Sequence, residues 1–279
     1  MSQPTDRFAA FRQLHHADRP LLLPNAWDYA SAAALVREGH PAIGTTSLGV
    51  AAAAGKADAT AATRDETLAL ARHLGRLPSL LTVDVEAGFS DDPQAVADLA
   101  AELVRCGAVG VNLEDGRPDG TLTDPTRHAE KIAAVKARVP DLFVNARTDT
   151  FWLAGSADAP AINETVRRAA TYVEAGADGV FVPGAMDLGT IRFLAGEIGA
   201  PLNVLYVPGR HTLADLAGVG VARVSTGSLL FRAALGAAVR AAAAIRHGEA
   251  WDDPHTPGYA EVQALVQPQA ETQPQASVR

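Results

Sequence analysis

Eight times along the chain a short apolar run ends in polar residues and gives way to an Ala-rich amphipathic stretch. Few folds accommodate that rhythm. The predicted strands are Leu21–Asn25, Ala42–Ser47, Leu80–Glu86, Gly110–Asp115, Leu142–Asp149, Gly179–Pro183, Leu202–Tyr206 and Val221–Thr226. Each is too short for a typical helix and is bounded by Gly, Pro, Asp or Asn. Helices are predicted over Ser31–Glu38, Arg64–Leu74, Ala95–Arg105, Thr126–Val139, Asn163–Ala175, Leu188–Glu197, Thr212–Ala217 and Leu229–His247. Several open on cap residues, such as Thr63 and Asp124 before Pro125, and several stop at glycine, as at Glu174–Asp178. The pattern specifies an α/β chain folded as a (β/α)8 TIM barrel. An open doubly wound sheet is the competitor, but no Gly-x-Gly-x-x-Gly follows the first strand and no Walker Gly-Lys-Ser/Thr is present. One barrel domain is expected over residues 1–266. Residues 267–279, polar and proline-broken, read as a disordered tail.

With 24 Lys+Arg against 32 Asp+Glu the net charge is −8, and no basic run offers a nucleic-acid surface. The lone Cys106 excludes an intramolecular disulfide and a multi-cysteine zinc site. No signal-peptide pattern opens the chain, and no apolar run approaches the ~20 residues that cross a bilayer. A cytoplasmic protein without membrane or nucleic-acid partners is expected.

In such a barrel the chemistry sits at the carboxyl ends of the strands. There Asp84 and Glu86 lie two apart, Glu114 and Asp115 end another strand, and Asn145, Arg147 and Asp149 share one predicted face. A Thr46-Ser47-Leu48-Gly49 turn precedes an Ala/Gly loop carrying Asp58. Carboxylates converging at one mouth repel one another unless a cation joins them. Oxygen donors without His or Cys favour Mg²⁺ or Mn²⁺ over zinc, and Mg²⁺ would keep several waters. Arg147 can pair a substrate carboxylate bidentately. The Thr46–Leu48 turn can offer N–H donors to an oxyanion. A plainer assignment stays open, in which the carboxylates cap helices and Arg147 is the counter-ion of Glu114 or Asp84. His15, His16 and His128 read as surface residues, and Cys106 as a packing residue.

Six blocks then carry a resemblance. They are Pro24–Asp28, Thr46–Val50, Asp84–Phe89, Leu113–Asp115, Ala146–Asp149 and Glu174–Phe181. In this order and spacing the chain, from Leu21 to Ile245, resembles the isocitrate lyase/phosphoenolpyruvate mutase superfamily. The resemblance implies a barrel whose last helix is exchanged between subunits of a homodimer or homotetramer. It also implies Mg²⁺ and pyruvate-like enolates. By position it makes Asp84 the principal metal aspartate, with Glu86, Glu114 and Asp58 around the metal. It gives Arg147 the substrate, with Asn145 beside it and Thr46, Ser47 and Leu48 supplying further contacts; Arg147, Glu114 and Thr46 become the catalytic candidates.

The departures bear on the reaction. The superfamily's tricarboxylate lyases carry Lys-Lys-Cys-Gly-His on a gate loop where this chain has the shorter Glu114–Pro125, without Cys, Lys or His. The mutase's gate-loop Lys and Asn and its strand-6 His are missing too. His211, on the loop after the seventh strand, is the candidate substitute general acid; it and Arg210 read equally as caps of the next helix or as solvent-binding residues. The expected function is a Mg²⁺-dependent carbon–carbon lyase or decarboxylase of a small α-oxo or α-hydroxy carboxylate. The alternatives are phosphorus–carbon chemistry on phosphonopyruvate-like substrates, as mutase or hydrolase, and a barrel that only binds an oxo acid.

Overall fold

The computed structural model describes residues 4–155, 158–185 and 187–266. The expected tail, 267–279, lies outside them. In chain order the elements are α1 (Pro4–Leu14), β1 (Leu21–Leu23), β2 (Asn25–Ala26), α2 (Tyr29–Arg37), β3 (Ala42–Thr45), α3 (Ser47–Ala53) and α4 (Arg64–Leu74). Then follow β4 (Leu80–Asp84), α5 (Pro93–Arg105), β5 (Ala108–Glu114), α6 (Pro125–Arg138), β6 (Phe143–Arg147), α7 (Thr150–Ala154) and α8 (Ala159–Glu174). The chain continues through β7 (Gly179–Phe181), α9 (Leu188–Glu197), β8 (Leu202–Leu205), α10 (Leu213–Ala217), β9 (Arg223–Ser225), α11 (Leu229–Arg246) and α12 (Tyr259–Val266).

The strands lie in the order β1-β9-β8-β7-β6-β5-β4-β3-β2, every neighbouring pair parallel. β1 and β2 are the two halves of the first predicted strand, parted at Pro24, which has no N–H to give a ladder. The first half pairs with β9 (Leu21↔Arg223) and the second with β3 (Asn25↔Gly44). One stave therefore bridges the two ends of the sheet, and the barrel closes as expected.

Local chemistry sets the helix starts. Asp92 caps α5 by accepting from Gln94 N at 3.0 Å, and Asp124 caps α6 by accepting from Thr126 N at 2.9 Å. In both, proline fills the first helical position, where a missing N–H costs nothing. The inner face of α5 buries Val96, Leu99 and Leu103 against the strands. β5 is buried along its whole length, as expected for a parallel strand covered on both sides. Cys106 packs partly buried at the far end of α5, at the amino end of the barrel. α11 buries only Phe231 and leaves Leu235, Val239 and Ile245 exposed. No helix of the described residues is long and apolar enough to cross a membrane.

Helices α1, α3, α7 and α12 have no counterpart among the predicted elements. α1 carries only Phe8, Phe11 and Leu14 as large apolar residues, too few to mark it as core. Yet Phe11 is fully buried, packing edge-on to Phe143 with centroids 5.4 Å apart. His15 stacks on the same ring at 4.1 Å. Of the three histidines read as surface residues only His16 is exposed; His15 and His128 are 4 % and 0 % exposed. His128 lies edge-on to the Tyr172 ring, on the core face of α6. Its position between Arg127 and Glu130 in a helix with five charged residues among fourteen concealed it.

Burial lowers the pKa of His15 to about 3 and that of His128 to about 4. Both stay neutral in the fold while the unfolded chain takes up protons near 6.5. Their contribution is complete above pH 6.5 and is lost as pH falls from there toward 4 and 3. Each should cost the wild type about 2 kcal/mol between pH 7 and pH 5. Urea melts of wild type and His128→Leu at the two pH values isolate one histidine, because the carboxylate contributions are common to both. A pH-independent difference would show that His128 is not buried neutral.

Candidate active site

The carboxyl ends of β4, β5 and β6, with the segment Thr46–Ala59, surround a cavity of about 480 Å³. Thr46, Ser47, Leu48, Asp58, Asp84, Glu114, Arg147 and Asp149 all line it. The register brings them near one another: Asp84 pairs with Asn112 on β5, and Glu114, two residues beyond Asn112, pairs with Arg147 at the end of β6.

Arg147 is the hub. Its Nη1 lies 2.6 Å from Glu114 Oε2, and its Nε and Nη2 hold Asp149 bidentately at 2.7 and 3.0 Å. Burial works against the guanidinium charge, but Glu114 and Asp149 outweigh it and keep the group firmly protonated. The Glu114 carboxyl is pushed upward by burial, opposed by Arg147 and reinforced by Asp84 and Asp149. Burial also raises Asp84 to about 6, with Arg147 opposing and Asp58 and Glu86 adding to the rise.

Below the hub, Asp115 is fully buried and ties three elements together. Its Oδ1 accepts from Asp149 N at 2.9 Å, and its Oδ2 accepts from Tyr172 Oη at 2.7 Å and Arg168 Nη1 at 3.0 Å. Arg168 also donates to Thr123 O at 2.8 Å, pinning the far end of the segment after β5. That segment forms a tight hairpin, bridged Gly116↔Leu122 and closed by Arg117 N donating to Thr121 O. A Cβ at position 116 would collide with the Asp149 carboxylate, so only glycine fits.

Three predicted residues sit elsewhere. β4 ends at Asp84, so the two-residue alternation stops there, and Glu86 adopts a left-handed backbone with φ 49°. Its carboxylate accepts from Thr63 Oγ1 at 2.7 Å and Ala61 N at 2.9 Å. Glu86 thus clasps the segment that carries Asp58 instead of lining the cavity. Asn145 is buried and does not line the cavity; its Nδ2 donates at 2.9 Å to the Oδ1 of Asn112, which does. His211 lines a separate small pocket with Ile191, Val204 and Leu216. Residues the sequence reading did not single out also line the mouth, among them Trp152, Tyr206 and Arg232.

The donor set bears on a cation. Asp58 Oδ1 is buried without a hydrogen-bond partner, and Asp84 Oδ1 accepts only a long 3.3 Å bond from Glu86 N. Neither has an ion-pair partner among the described residues. Nor do any three His, Cys, Asp or Glu side chains among the described residues form a ready-made ligand set. A divalent ion here would take one or two hard carboxylates and keep most of its water, which suits Mg²⁺ and not zinc.

Known proteins resemble this chain to different degrees. An uncharacterized protein of Mycobacterium tuberculosis is 48 % identical over 257 residues, covering 92 % of this chain and 96 % of the relative. The 2-methylisocitrate lyase of Escherichia coli (strain K12) is 30 % identical over 205 residues, 69 % of this chain and 67 % of the enzyme. The crystal structure of a putative phosphonomutase from Burkholderia cenocepacia J2315 superposes with a TM-score of 0.81 at 38 % identity, covering 84 % of this chain and 98 % of that one. The model of the phosphoenolpyruvate phosphomutase family matches residues 11–246. The chain belongs to that family, within the isocitrate lyase/phosphoenolpyruvate mutase superfamily of lyases and mutases.

Proposed function

We propose that this protein is a Mg²⁺-dependent carbon–carbon lyase or decarboxylase of a small α-oxo or α-hydroxy carboxylate, releasing pyruvate or a homologue. One observation carries the reading. Arg147, held protonated between Glu114 and Asp149, shares its cavity with Asp84 and Asp58, two carboxylates without ion-pair partners among the described residues. The site therefore has one pole for an anion and another for a cation, as a chelating oxo acid requires.

When bound, Mg²⁺ supplies positive charge that chelates the oxo acid and offsets the charge of an enolate. Asp84 and Asp58 would hold it. Three of the five N–H donors of Arg147 are engaged by Glu114 and Asp149, which leaves two for a substrate carboxylate. Glu114 and Asp149 fix the guanidinium plane, so little ordering cost remains at binding. Ser47 and Leu48 open α3, and first-turn N–H groups have no partner within a helix. Together with the Thr46 hydroxyl they can receive the developing oxyanion. The hairpin after β5 brings no Lys, Cys or His to the cavity, which supports chemistry that needs no gate-loop acid.

The test is pyruvate release, coupled to NADH oxidation, from oxaloacetate, 2-methylisocitrate and phosphonopyruvate, with Mg²⁺ or EDTA. Turnover of one carbon–carbon substrate is expected, falling at least about 100-fold with EDTA and in Asp84→Asn. The variant matters because free Mg²⁺ slowly decarboxylates oxaloacetate. Turnover of phosphonopyruvate alone would move the reading to the phosphorus–carbon bond. Oxalate binding without any turnover would make this a binding barrel.

A further inference from the structure

Arg223, on β9, is fully buried inside the barrel beneath the cavity. Among the described residues it has no ion-pair partner, and its Nη1 is buried without a hydrogen-bond partner. A buried, unpaired guanidinium is costly, and a well-packed apolar residue would commonly serve stability as well or better. What it does hold is specific. Nη2 donates to Asn112 Oδ1 at 3.1 Å and Nε to Ser225 Oγ at 3.1 Å, and both partners line the cavity. Asn145 Nδ2 donates to the same Asn112 Oδ1 at 2.9 Å.

An amide oxygen has two lone pairs, and here donors from two strands occupy both. Flipping the Asn112 amide would set N–H against N–H, so its orientation is fixed. We infer that Arg223 is a positioning residue, and that the Asn112 Nδ2 it fixes is a donor to an oxygen of the bound oxo acid. Asn112 is the register neighbour of Asp84 on the adjacent strand, which puts this donor beside the cation pole. Ser225, held by Arg223 and by Asn203 Nδ2 at 3.0 Å, steadies the opposite side of the floor.

The inference rests on the oxo-acid reading above, and its test separates the two. Oxalate is titrated calorimetrically at saturating Mg²⁺ into wild type, Asn112→Asp, Arg223→Met and Arg223→Lys, with Mg²⁺ alone titrated in parallel. Asn112→Asp keeps an acceptor for Arg223 and Asn145 and gives Arg223 a counter-charge, so its Tm should match or exceed wild type. It lacks the donor, so the oxalate Kd should rise at least about 10-fold. Arg223→Met should raise that Kd about 5-fold with Mg²⁺ affinity unchanged, and Arg223→Lys should restore most of it. A folded Asn112→Asp or Arg223→Met that binds oxalate like wild type would overturn the inference and leave the oxo-acid reading standing. A wild type that binds Mg²⁺ but not oxalate would overturn both.

Discussion

Arg147→Met is expected to abolish measurable oxalate binding and to lower kcat/KM by at least about 10³-fold on whichever substrate the wild type turns over. Arg147 is the sole cation in direct contact with Glu114 and Asp149 among the described residues, and both carboxylates are buried. Losing it removes the anion pole and leaves three acids, with Asp84, facing one another. Such a variant also loses stability, because breaking a buried pair exposes the cost of the remaining charge. The double variant Arg147→Met/Glu114→Gln removes one of those charges and should recover part of the Tm without recovering binding. Arg147→Lys should recover little, since an ammonium cannot span Glu114 and hold Asp149 bidentately at once. A kcat/KM within about 10-fold of wild type in a folded Arg147→Met would refute the assignment of the anion pole.

Asp115→Ala should destabilise the protein by about 3–5 kcal/mol, measured by urea melts at pH 7. It leaves the buried Arg168 guanidinium short of a counter-charge and strips Asp149 N and Tyr172 Oη of their acceptor. Burial pushes Tyr172 above its usual pKa, and that cause persists in the variant, so the phenol does not ionise to compensate. Asp115→Asn keeps one acceptor oxygen and should cost less. A loss below about 1 kcal/mol in Asp115→Ala would mean that the segment after β5 and the end of β6 do not depend on this node.

The barrel could be read from the chain because strand–helix alternation is a property of local runs, and Asp, Pro and Gly mark where each run starts and stops. The site was legible where that rule extends to the strand ends: Asp84, Glu114 and Arg147 each close a strand and line one cavity. Glu86 escaped the rule by two residues, since a left-handed backbone past the end of β4 turns it toward Thr63. Asn145 obeys the alternation but sits two residues before Arg147 on its strand, buried and outside the cavity lining. Arg223 had a visible signal, a charge inside the apolar run Val221–Val224, which in a strand covered on both faces must point into a polar interior. Its partner Asn112 comes from a strand 111 positions away in the chain, beyond the reach of any local pattern.

The hairpin of Gly116–Leu122 has a consequence for the isotopic record of the reaction. A long flap over a barrel mouth keeps bulk solvent from a carbanion, so that one enzyme acid protonates one face. The segment here is short, braced on itself and on Arg168, and reaches the cavity through Gly116 and Arg117. On the proposed reading the nascent methyl or methylene carbon meets solvent directly. In D₂O it takes up deuterium at the solvent's own enrichment.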